Sequence, residues 1–133
     1  MITRCYQLIW NAFFFVAFNL SSDIFGWTQC TQKNSYLVEM NSAKENKWIS
    51  EMFLSENGNG NTHLVDTTWI GANRKNGILT WEHSNEPVNL QSWVTNRLDG
   101  SGSCVFMEYT GSWTDVRCDR QLHVYAFVCE KML

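Results

Sequence analysis

The chain has 133 residues, 44% of them hydrophobic, and a formal net charge of −3 at pH 7. A chain of this length makes one domain that buries roughly two-thirds of its unfolded surface, so a real core forms. No basic run occurs anywhere, which excludes the stripe of a nucleic-acid binder and a polybasic membrane patch.

Residues 1–22 contain Arg4 and no acid, and residues 8–20 are largely apolar, with Asn11 and Asn19 as interruptions. A basic start, an apolar stretch and then Ser21 and Ser22 read as a secretory signal. The alternative is that residues 13–18 are the first β-strand of the domain. The stretch is too short to span a bilayer comfortably. The sequon Asn19-Leu20-Ser21 lies inside it, so no N-glycan is expected on the mature chain. Of five cysteines, Cys5 leaves with the signal, and Cys30, Cys104, Cys118 and Cys129 make two pairs with three connectivities open. None has C-x-x-C spacing, so a disulfide framework in an oxidising compartment is expected rather than zinc.

Residues 28–38 predict a short helix ending in the apolar turn Tyr36-Leu37-Val38. A stronger helix follows, with Ser42 and Glu45 at capping-box spacing and Ala43, Trp48, Ile49, Met52 and Phe53 on one apolar face. The Asn/Gly run at 57–61 ends it. Trp69-Ile70-Gly71 and residues 78–81 flank a turn over 73–77 and predict a hairpin. Residues 82–103 lack periodicity and read as a long loop, functional or disordered. Three short apolar strands then close the chain, each beside a cysteine, giving an α+β order. His63, His83 and His123 are scattered, and no Ser or Cys sits beside one in a catalytic arrangement, so an enzyme is not expected. Trp81 and Trp93 are expected in the core.

These residues together resemble the C-type lectin-like domain. Cys30 with the segment LVEMNSAKENKWI, the Trp69-Ile70-Gly71 strand, LTWEHSNEPVNLQSW, and Cys104, Trp113, Cys118 and Phe127-Val128-Cys129-Glu130 carry the resemblance from about residue 23 to the end. It implies two helices and two small antiparallel sheets with a long loop, in a short secreted single-domain member of invertebrate type. Residues 1–22 are then the signal and 23–133 the domain. It also implies the pairs Cys30–Cys129 and Cys104–Cys118.

Sugar-binding members of that family hold Ca²⁺ at the long loop, and a hard cation of this kind takes six to eight oxygen ligands. The turn Glu86-Pro87-Val88 precedes Trp93 and lies too early for the family's ligand triplet. The matching position falls on Arg97-Leu98-Asp99, a further Glu position falls on Gly102, and the Trp-Asn-Asp motif becomes Trp113-Thr114-Asp115. The resemblance therefore implies a degenerate Ca²⁺–sugar site. Arg97, Asp99, Thr114 and Asp115 would meet a carbohydrate, and Asp99, Thr114 and Asp115 remain as metal ligands. The expected function is extracellular carbohydrate recognition of a glycan or glycoprotein. The alternative is a calcium-independent module that binds a protein or other ligand through Arg97, Arg117, Arg120 and exposed aromatics. No nucleic acid and no membrane insertion of the mature domain are expected.

Overall fold

The computed structural model describes residues 2–9, 12–18, 23–32, 34–56, 66–89, 96–119 and 126–132. Two N-terminal strands, β1 (Ile2–Ile9) and β2 (Ala12–Phe18), precede helix α1 (Asp23–Gln32). Strand β3 (Tyr36–Leu37) and helix α2 (Ala43–Phe53) follow, then β4 (Thr67–Lys75) and β5 (Ile78–Trp81). Strands β6 (Asn96–Arg97), β7 (Cys104–Glu108), β8 (Trp113–Val116) and β9 (Ala126–Met132) complete the order. The hydrogen-bonded path runs β1-β2-β9-β4-β7-β8-β6, with β3 also on β9 and β5 also on β4. β4 joins the two groups of strands, and the β4–β9 and β6–β8 pairs are parallel within an otherwise antiparallel network. The α+β class and its two helices are as expected.

The first helix starts and stops earlier than its sequence pattern suggests. Asn34 takes a positive φ of 55°, while its N–H reaches the Thr31 carbonyl at 3.1 Å and the Ser35 N–H reaches Cys30 O at 2.9 Å. That pair of bonds is a Schellman stop with Asn in the left-handed position. Released from the helix, Tyr36 and Leu37 pair with Glu130 and Cys129 of β9. Helix α2 matches its prediction more closely. Ser42 Oγ accepts from the Glu45 N–H at 3.1 Å, and Glu45 Oε2 accepts from Asn41 N. The expected five-residue hairpin turn is tighter. Asn76 (φ 52°) and Gly77 (φ 78°) alone connect β4 to β5, as a two-residue turn with positive φ at both positions requires.

The core has two parts. Val38, Ile49, Phe53, Ile70, Trp81, Val105 and Trp113 anchor one, with Trp81 and Trp113 edge to face at 5.7 Å. Trp69, Phe106, Phe127 and the Cys30–Cys129 pair anchor the other. Both disulfides form as the resemblance implied, with Cα separations of 5.5 Å for Cys30–Cys129 and 5.0 Å for Cys104–Cys118. Gly71 explains the Trp-Ile-Gly strand, because a Cβ there would lie 2.7 Å from the Leu37 carbonyl oxygen. Its N–H instead bonds Val38 O at 2.8 Å, drawing the chain after β3 onto β4.

At the N-terminus, β2 lies antiparallel to β9 with Phe15 opposite Cys129. Among the described residues, no helix is long and apolar enough to cross a membrane. Trp93, His63, His123 and Arg120 lie outside the described residues, as does the side chain of Arg97.

Candidate functional site

Strand β8 is held flat against β7, with Val105 opposite Asp115 and Phe106 opposite Thr114. Alternation along β8 sends Trp113 and Asp115 inward, and the Asp115 side chain is fully buried. A buried carboxylate requires partners, and Asp115 has three. Its Oδ2 accepts from Arg74 Nη2 at 2.9 Å and from the Gly100 N–H at 2.8 Å. Its Oδ1 accepts from the Asp99 N–H at 3.0 Å. The Ser101 hydroxyl adds a bond to the Asp115 main-chain oxygen at 3.1 Å. The whole 99–101 turn is thus folded around one carboxylate.

Arg74 reaches this point because it stands on β4 just before the Asn76-Gly77 turn. Its own N–H is fixed to Ser103 O at 2.7 Å, and its Nε contacts Gly102 O at 3.4 Å. Gly102 is packed against the start of the segment after β8, where a Cβ would fall 1.9 Å from the Val116 carbonyl carbon. No side chain fits there, so the Glu of the family pattern has no room.

Sequence reasoning placed Arg97, Asp99, Thr114 and Asp115 together, and the fold brings their backbones to one edge. Arg97 pairs with Thr114 in the parallel β6–β8 ladder. The carboxyl of Asp99 points to solvent and accepts from the Ser101 N–H at 2.8 Å. Hydrogen bonds from the Ser101 side chain and backbone hold its pKa below the ordinary carboxylate value. Thr114 Oγ1 is buried with no hydrogen-bond partner among the described residues. Arg74 was missed, since nothing near it in sequence signals a role. Glu86-Pro87-Val88 sits apart in a turn, where Trp81 N bonds Glu86 O and Pro87 bridges to Thr80.

These residues do not fit a Ca²⁺ ion. Asp115 already spends three acceptor positions on N–H donors, and a guanidinium stands beside it, where a cation would have to sit. Among the described residues, no three His, Cys, Asp or Glu side chains converge on a common point.

A second polar constellation, also missed in the sequence, lies on the opposite side of β4. Glu130 Oε2 accepts from the Glu39 N–H at 3.3 Å, and Glu39 Oε2 accepts from His83 N at 3.0 Å and Ser84 N at 3.3 Å. The His83 ring stacks on Tyr36 at 3.7 Å. Burial, with the nearby Glu45 and Glu39 carboxylates, pushes the Glu130 pKa up to about 7. Burial and the Glu130 charge likewise push Tyr36 up.

A model of the lectin C-type domain matches residues 27–131 of this sequence. The chain belongs to the C-type lectin domain family. Among relatives of this C-type lectin domain, Protein A16 of Anopheles gambiae is 30% identical over 105 residues, 79% of this chain and 53% of that protein. Asialoglycoprotein receptor 2 of Homo sapiens is 31% identical over 111 residues, 77% of this chain and 32% of the receptor. The chain therefore spans about half the length of the first and a third of the second. A calcium-independent type II antifreeze protein shares the fold of this C-type lectin domain with a TM-score of 0.70 and 18% identity, covering 99% of this chain and 97% of its own.

Proposed function

We propose that this chain is an extracellular, non-enzymatic recognition domain that engages its ligand, a glycan or glycoprotein, without Ca²⁺. One observation carries the reading: Asp115, the strongest ligand left at the metal position, is neutralised by Arg74 at 2.9 Å. An internal cation sits against the carboxylate that holds the 99–101 turn, so no divalent ion is needed to order it. The solved calcium-independent antifreeze protein supports the premise that this fold stands without the ion. Four cysteines in two disulfides support an oxidising, extracellular setting. Asp99, Thr114 and the Arg97 position remain at the edge of the recognition surface, with Asp115 as their support.

The test is binding of the refolded chain to a glycan panel, with and without EDTA, beside thermal melts with and without millimolar Ca²⁺. Binding and melting temperature are expected to be unchanged by the chelator and by the ion. Binding that vanishes in EDTA, or a melting temperature that climbs with Ca²⁺, overturns the reading.

A further inference from the structure

The two disulfides differ in what surrounds their sulfurs. Cys30 and Cys129 are both 0% exposed, enclosed with Trp69 and Phe127. In the other pair Cys104 is 1% exposed and belongs to the same cluster, whereas Cys118 is half-buried in the turn after β8. A cleft of about 510 Å³ lies there, lined by Ser101, Val116, Arg117 and Asp119. Arg117 and Asp119 are the two chain neighbours of Cys118, so the turn that carries this sulfur forms the cleft's wall. The volume falls within the range of roughly 300–1,000 Å³ typical of small-ligand sites, which admits a thiol of tripeptide size. Arg117 and Asp119 pair at 2.9 Å, so the entrance carries no net charge to repel a thiolate.

In thiol–disulfide exchange a thiolate attacks one sulfur along the S–S axis and the other sulfur leaves as a thiolate. Approach to Cys118 comes from the side away from Cys104, outside the core. Approach to Cys104 would have to pass Trp69, Phe106 and Phe127. The leaving side is also prepared. Asn73 stands opposite Cys104 in the β4–β7 ladder, and its Nδ2–H donates to Cys104 Sγ at 3.5 Å. A donor on sulfur favours the thiolate over the thiol, and a more acidic thiol leaves faster. The Cys104–Cys118 pair spans 14 residues of sequence against 99 for Cys30–Cys129, so its opening costs the fold less.

We infer that Cys104–Cys118 is a site of reversible exchange with a small thiol of the glutathione class, with Cys118 the sulfur attacked and Cys104 the sulfur released. In the first step the incoming thiolate bonds to Cys118 Sγ. The Cys104–Cys118 bond breaks, and its electron pair goes to Cys104 Sγ, which takes up a proton. A second thiolate then attacks the external sulfur of the mixed disulfide, releasing the small disulfide and a Cys118 thiol. Two small thiols are oxidised and one protein disulfide is reduced. The exchange removes the bond that ties Cys118 to β7 and frees the turn carrying Arg117 and Asp119. It goes beyond the function proposed above and does not depend on it.

To test it, free thiols of the full oxidised chain are capped with N-ethylmaleimide, and the chain is held in millimolar reduced glutathione under native conditions. Samples are quenched with deuterated N-ethylmaleimide and mapped by peptide mass spectrometry. Early samples are expected to carry glutathione on Cys118 and the heavy label on Cys104, about tenfold or more over the reverse placement, with Cys30–Cys129 intact as the reporter of global unfolding. Asn73→Ala is expected to slow opening about threefold, the scale of one lost hydrogen bond, and Asn73→Asp, which sets a negative charge beside the leaving sulfur, to slow it further. Glutathione on Cys104, loss of both disulfides together, or no opening of either overturns the site. Variant rates equal to or above that of the unsubstituted chain, with Cys30–Cys129 intact, overturn the assignment of Cys104 as the prepared leaving group.

Discussion

The indole N–H of Trp113 donates to Asn46 Oδ1 at 3.0 Å, and the same amide donates from Nδ2 to the Gly111 carbonyl at 3.1 Å. Both side chains are buried, so this one Asn satisfies two polar groups that face no water and fastens α2 to the β7–β8 turn. An Asn46→Leu substitution removes both bonds. It should destabilise the fold by about 2–6 kcal/mol, at roughly 1–3 kcal/mol for each bond lost by a buried group. Urea unfolding followed by tryptophan fluorescence measures it. A loss under about 0.5 kcal/mol, the scale of an ordinary surface substitution, would mean the bridge is not formed.

Arg74 and Asp115 act as a unit across 41 residues of sequence. Arg74→Met leaves a buried carboxylate without its cation and should cost about 3–5 kcal/mol. Adding Asp115→Asn to that variant removes the stranded charge and should recover part of the loss. A double-mutant cycle by chemical denaturation checks both statements, and strict additivity of the two changes would contradict the coupling.

The Glu130 carboxyl gives the domain a pH dependence of predictable sign. Its folded pKa of about 7 stands above the ordinary carboxylate value of 4.5. Between those values the folded protein keeps a proton that the unfolded chain has released. Stability should therefore fall as pH rises from about 4.5 to 7 and level off above, by at most about 3–4 kcal/mol at roughly 1.4 kcal/mol per unit. Glu45, raised mainly by burial, adds in the same direction. Glu130→Gln keeps an oxygen for the Glu39 N–H and should flatten the profile. A melting temperature that rises across the same window in the unsubstituted protein would refute the assignment.

Strand β2 covers one side of β9 from Ala126 to Met132. A chain beginning at Asp23 loses β1 and β2 and exposes that backbone edge, which invites strand addition from a second molecule. The shortened chain should melt lower and sediment as larger species than the full chain. Equal stability and a clean monomer would favour removal of residues 1–22 as a signal.

Much of the fold was legible because its signals are local. Ser42 and Glu45 announce α2 through a cap that needs only neighbouring backbone, and Asn76-Gly77 is a turn that only positive φ allows. The buried face of α2 was less legible. Met52 is exposed, while polar Asn46 and Ser50 are inside, because Asn46 answers Trp113 from 67 residues away. The end of α1 was misplaced for a similar reason. Tyr36 and Leu37 are apolar enough to continue a helix, but β9 offers them backbone partners once Asn34 has turned the chain.

By itself the amino-acid sequence determined the family and the two cysteine pairs that the resemblance implied. What surrounds Asp115 was decided by tertiary structure alone. A charge has no direction in a sequence. Arg74 meets Asp115 only because β4 and β8 come together in the fold beside Gly102, a position that admits no Cβ.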